Sequence, residues 1–160
     1  MPKKINKAIT VRCGICNDVY VSPAHDKVHE RHCRRFQAAV ALYGSAYVMI
    51  YPVEEALKRE AHLVIRKKEL PVTRRAAAAL AVMRAWFSRS VRMNKYRFNH
   101  PSFPEYVAMM LNHGQRYGVA RGDVYWYLVS RYGTMPGIPA GSSYWPRLKN
   151  VIISRGIISN

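Results

Sequence analysis

The sequence predicts a mainly α protein: a small N-terminal ββα unit over residues 1–43, then an all-helical domain over residues 44–160. Three observations carry that expectation. Ile9, Val11, Val19, Tyr20 and Val21 are β-favouring residues set around a short Cys-Gly-Ile-Cys segment, the pattern of a hairpin. From Asp26 the apolar spacing changes to three or four residues, the period of one helix face. No run of strand-like segments follows between residues 44 and 100, where the helical period continues.

Taken in order, Gly14 is expected to supply the tight turn of the hairpin. Val28, His32, Phe36, Val40 and Tyr43 then share one face of a first helix that stops near Gly44. A second helix runs from Pro52 to about Lys68 on the stripe Val53, Ala56, Leu57, Ala61, Val64 and Ile65. Glu54 and Glu55 in its first turn and Arg66, Lys67 and Lys68 in its last suit the helix dipole, and Pro71 ends it. Thr73 caps a third helix through about Lys95, with Ala76, Leu80, Met83, Phe87 and Val91 inward and Arg84, Ser88, Arg92 and Lys95 near a right angle to them.

Ser102 and Glu105 have capping-box spacing ahead of Phe103, Tyr106, Val107, Met110 and Leu111, the fourth helix. A fifth starts near Arg121 to Asp123, buries Val124, Tyr127 and Leu128, and ends at Gly133. After the Gly- and Pro-rich stretch 133–143, Ser143 caps a last helix through Ile153.

The chain has 26 Lys and Arg against 9 Asp and Glu, a net charge of +17. Residues 1–43 carry +5, residues 44–101 carry +8 and residues 102–160 carry +4, so no tail holds the excess. A field of one sign over a folded body repels itself, and a polyanionic partner relieves that repulsion. Nucleic acid is the expected partner, DNA ahead of RNA, and an acidic protein is the alternative. A membrane is not expected: MPKKINKAITVRC has no hydrophobic region for secretion, and no run of eighteen apolar residues exists. The expected compartment is the cytoplasm, or the nucleus of a eukaryote, where cysteines serve as metal ligands or free thiols more than as disulfides.

All three cysteines fall between residues 13 and 33, together with His25, His29 and His32. Cys13 and Cys16 are two residues apart on a turn that aims both sulfurs at one point. Twelve residues later His29 and Cys33 stand at i and i+4, one face of a helix. Four ligands of N and S type fit a closed tetrahedral zinc site, in which Zn²⁺ is structural because no position is left open for water. A unit of this size buries too little apolar surface to fold alone, and zinc contributes on the order of 10 kcal/mol to such modules. Val28, Tyr20 and Phe36 are its expected core. His32, at i+3 from His29, is the alternative to Cys33 as fourth ligand, and otherwise a surface or neighbouring group, like His25.

The run Cys13-x2-Cys16-x3-Tyr20, Ser22-Pro23, Asp26, His29-x3-Cys33 and Phe36 resembles the N-terminal zinc finger of the cohesin acetyltransferases. It departs from that family in Asn17 and Asp18 after the second cysteine, and in Cys33 where the family has histidine. The size and layout are also similar to small phage and prophage zinc-finger proteins of unknown role, and a phage-type regulator that binds nucleic acid is the class of function expected. The acetyltransferase resemblance implies a second possibility, acetyl-CoA-dependent N-acetyl transfer. Gln115, Gly118 and Ala120 fit the letters of that fold's pyrophosphate loop, but the segment before them has helical rather than strand period.

For a nucleic-acid binder, the candidate phosphate contacts are Arg31, Arg34 and Arg35 on the first helix and Arg84, Arg89, Arg92, Lys95 and Arg97 beyond it. The helix over 121–132 is a candidate reader with Arg121, Tyr125 and Arg131 outward, and Tyr144-Trp145-Pro146-Arg147 a candidate stacking segment. No catalytic constellation stands out beside the 115–120 loop: Asp18, Asp26, Glu105 and Asp123 read as turn or cap residues.

Overall fold

The computed structural model describes residues 8–96, 100–112 and 122–134. The expected helix over 143–153, Tyr144 to Arg147, Arg97, Arg121 and the 115–120 loop lie outside these residues. The described chain runs β1 (Ile9–Arg12), β2 (Val19–Ser22), α1 (Asp26–Tyr43), α2 (Tyr51–Ile65), α3 (Val72–Met93), α4 (Phe103–Asn112) and α5 (Asp123–Tyr132), the mainly helical architecture expected.

β1 and β2 pair antiparallel in the register Ile9 to Ser22 and Arg12 to Val19. The Cys13 N–H donates to the Asp18 carbonyl at 2.9 Å and the Asn17 N–H to the Cys13 carbonyl at 3.0 Å. The left-handed turn position is Asn17 (φ 63°), not Gly14, where an added Cβ would meet nothing within 4 Å. Asparagine tolerates that conformation, so the turn does not depend on glycine.

Gly44, at φ 93°, ends α1 with its N–H on the Val40 carbonyl at 2.9 Å. The inward face of α1 is set by His29, Cys33, Phe36 and Ala39, and Val28 is 66% exposed. The expected place of Val28 in the core is therefore wrong. One position before His29, it is turned out by the phase that points His29 and Cys33 at the hairpin turn. Tyr20 takes its place, stacked on His29 with ring centroids 3.9 Å apart and planes at 4°.

In α2 the expected stripe holds at Leu57, Ala61, Val64 and Ile65, but the first turn is rotated. Val53 is 47% exposed and Glu54 completely buried. The rotation is explained by what Glu54 accepts: the Ser88 hydroxyl at 2.7 Å and an Arg92 guanidinium N–H at 2.8 Å. Ser88 also receives the Met49 N–H at 2.9 Å, so this residue, expected near a right angle to the inward face, is a buried anchor.

α3 starts at Val72, directly after Pro71 and one residue before Thr73, without a side-chain cap. Proline preorganises that start, and Thr73 lies already inside the first turn. α3 is the central helix: Ala76, Met83, Phe87 and Val91 belong to the main core, while Ala78, Ala81 and Val82 meet Ala61, Leu57 and Val64 of α2. Small residues on that second side allow α2 to approach closely.

α4 buries Tyr106 through Leu111, and Glu105 reaches back to the Ser102 N–H at 2.8 Å and hydroxyl at 2.7 Å. In α5, Val124, Tyr125 and Leu128 are buried and Tyr127 only partly so. Arg75 ties α3 to α5 through a two-pronged bond to Asp123 and also donates to the Leu70 carbonyl at 3.0 Å. Cys16, Cys33, Phe36 and Ala39 join Val48, Met83, Phe87, Tyr96 and Tyr106 in one buried cluster, so the core continues from the hairpin into the helices. Among the described residues, no helix is long and apolar enough to cross a membrane.

Candidate metal centre

Two elements converge at the turn end of the hairpin. The turn between β1 and β2 carries Cys13 and Cys16, and the first half of α1 carries His29 and Cys33. One ligand atom from each lies within 4.8 Å of all the others. Cys13 Sγ stands 3.9 Å from Cys33 Sγ, and Cys16 Sγ 4.0 Å from His29 Nε2. Cys16 and Cys33 are buried and Cys13 and His29 partly so. The four side chains thus form a possible metal site.

The surroundings are built for anionic sulfur. The Ile15 N–H points at Cys13 Sγ at 3.4 Å and the Gln37 amide at Cys33 Sγ at 3.5 Å. Burial pushes the Cys13 thiol up, but the Cys16 and Ile15 backbone N–H groups, helped by the His29 and Cys16 side chains, bring it from 9.0 down to about 6. Cys16 goes the other way, to about 12, through burial first and then the negative charge of Cys13 and Asp18. Without an ion the pair therefore holds a proton, and a cation binding all four groups displaces it.

His32, weighed as fourth ligand from the sequence, belongs to a different set. Its Nε2 lies 2.6 Å from Asp18 Oδ2, and with Cys16 these residues form a second close group. His25 is exposed just before α1.

The candidate phosphate contacts are placed unevenly. Arg31, Arg34 and Arg35 are all exposed, Arg34 within 3.5 Å of Glu30. At 100° per residue they fall with Lys27 inside about 100° of arc, roughly opposite the His29 and Cys33 face. Lys95 is exposed and Arg84 partly buried. Arg89 lies over the Trp86 ring at 5.1 Å, and Arg92 is engaged by Glu54. Arg97, Gln115, Gly118 and Ala120 are outside the described residues. Of the outward residues expected on α5, Tyr125 is buried, Arg131 is exposed with its guanidinium over the Tyr127 ring at 4.8 Å, and Arg121 lies outside the described residues. The outward aromatic there is Trp126.

No protein-family model, no curated protein and no solved structure matches this chain. The likeness to acetyltransferase fingers therefore rests on the residues of the site alone.

Proposed function

We propose that Cys13, Cys16, His29 and Cys33 hold a structural zinc ion, and that the zinc-bound unit presents α1 to nucleic acid. The observation that supports the first part is the convergence of four N and S atoms from two elements. A tetrahedral zinc with metal–sulfur bonds of about 2.3 Å separates two sulfurs by about 3.8 Å, and Cys13 and Cys33 stand 3.9 Å apart without adjustment. Protein groups fill all four positions, so the ion fastens the hairpin to α1 and leaves no place for a reactant.

The second part is supported by the division of α1 into two faces. One side carries the ligands; the opposite side carries Lys27, Arg31, Arg34 and Arg35 with Glu30 as the acid that pairs within it. Binding through phosphates is expected, DNA before RNA, with affinity set by counterion release. Arg92, spent on Glu54, is not among the free cations. Among the described residues the strands are those of the hairpin, which gives the acetyl-CoA reading no central sheet.

Fluorescence anisotropy with a labelled duplex over a salt series tests the interface. The expected result is a steep fall of affinity with salt, and a slope smaller by about 3 when Arg31, Arg34 and Arg35 are changed together to Gln. A slope unchanged by the triple substitution removes α1 from the interface.

A further inference from the structure

We propose that a second divalent cation binds beside the first, held by the Asp18 carboxylate, the His32 imidazole and a bridging Cys16 thiolate. This rests on the four-residue site being an ion site, since Cys16 belongs to both sets. Cys16 Sγ, an Asp18 carboxylate oxygen and a His32 ring nitrogen lie within 4.8 Å of one another. That spacing lets one ion reach all three at bonds of about 2.0 to 2.3 Å after a small opening of the Asp18–His32 contact. His32 Nε2 is buried and only 2.6 Å from Asp18 Oδ2, yet it makes no hydrogen bond of ordinary geometry. A dication between them supplies the partner that this nitrogen lacks.

Charge points the same way. Three thiolates around one dication leave the first site net negative, and Asp18 adds a further negative charge next to Cys16. A second dication cancels both, and a thiolate already bound to one ion keeps lone pairs with which to bind another. The same two elements build both sets: the hairpin turn gives Cys16 and Asp18, and α1 gives His29 and Cys33 on one side and His32 on the next. With the Asp18 and His32 side chains 44% and 34% exposed, the second ion is open to solvent and keeps a position for water or an oxygen anion. Its mixed S, N and O ligands suit zinc or cobalt. The competing arrangement is a protonated His32 acting as the counter-ion of Asp18.

The test is a cobalt(II) titration of the metal-free full-length chain under reducing conditions, followed by equilibrium dialysis and electron paramagnetic resonance. Two equivalents are expected, the second weaker, with loss of resonance intensity as it binds because a thiolate bridge couples the two ions. Asp18→Asn and His32→Phe, the latter keeping a ring against Tyr96, should each lose the second equivalent and retain the first with its sulfur-to-cobalt absorption band. One equivalent in the unmodified chain overturns the proposal and leaves the first site standing. None overturns both sites. Two equivalents that survive both substitutions also overturn the assignment.

Discussion

The ring of Tyr96 stands edge-on to that of Phe36, with centroids 5.7 Å apart, and also edge-on to His32 at 5.2 Å. Tyr96 follows the end of α3, whereas His32 and Phe36 lie about one and two turns from His29 on α1. The contact therefore joins the unit of hairpin and α1, with its possible metal site, to the helical body. Tyr96 and Lys95 both adopt left-handed backbone, at φ 55° and 56°, which costs a bulky residue on the order of 1 kcal/mol or more. Burying that ring against α1 is what offsets the strain.

Tyr96→Ala should accordingly lower stability by about 3 kcal/mol in urea unfolding. A double-mutant cycle with Phe36→Leu should give a coupling of about 1 kcal/mol, the value of an edge-to-face pair beyond its buried area. Additive effects would mean that the two rings do not act together.

Glu54 gives a second prediction. Burial pushes its carboxyl up, while Ser88 and Arg92 hold it down. Removing Arg92 leaves a buried carboxylate with only a hydroxyl partner, so Arg92→Ala should cost about 3 kcal/mol. The exposed pair Arg34–Glu30 is screened by water, and Arg34→Ala should change stability by less than about 0.5 kcal/mol. Equal effects at the two arginines would contradict the structural role given to Arg92.

His100 should set part of the acid limb of stability. Its Nδ1 faces the Pro101 carbonyl at 3.0 Å, which can only accept, so Nδ1 carries the proton and Nε2 accepts from the Ser90 hydroxyl at 2.9 Å. Burial lowers it from 6.5 to about 4. The unfolded chain then takes up a proton first as pH falls, so this contribution is full above pH 6.5 and is lost toward pH 4, about 3 kcal/mol in all. Subtracting the curve of His100→Gln from that of the unmodified chain should isolate this loss. Parallel curves would refute it.

Much of the site was legible because each half-motif fixes its own geometry: two cysteines on a short turn, and His29 with Cys33 on one helix face. The helices of the described residues followed from apolar period, with boundaries shifted by a residue or a turn. Period alone misled where a polar group is buried with a partner distant in sequence. Glu54 in a first turn reads as a dipole residue, and nothing nearby announces Ser88, which lies 34 residues away. Val28 and Tyr125 were misplaced for a related reason: the rotation of α1 is set by ligands, and that of α5 by its contacts with α3 and α4. Asp18 read as a turn residue, and its approach to His32 depends on the tertiary fold. The only sequence signal for it was a carboxylate two residues after Cys16.

The most direct test of the central claim is X-ray absorption at the zinc edge on the full chain loaded with one equivalent of zinc. Three sulfurs at about 2.3 Å and one nitrogen at about 2.0 Å are expected, with one sulfur lost in Cys33→Ser and none in His32→Phe. A shell dominated by oxygen and nitrogen, or failure to retain zinc at all, would contradict it.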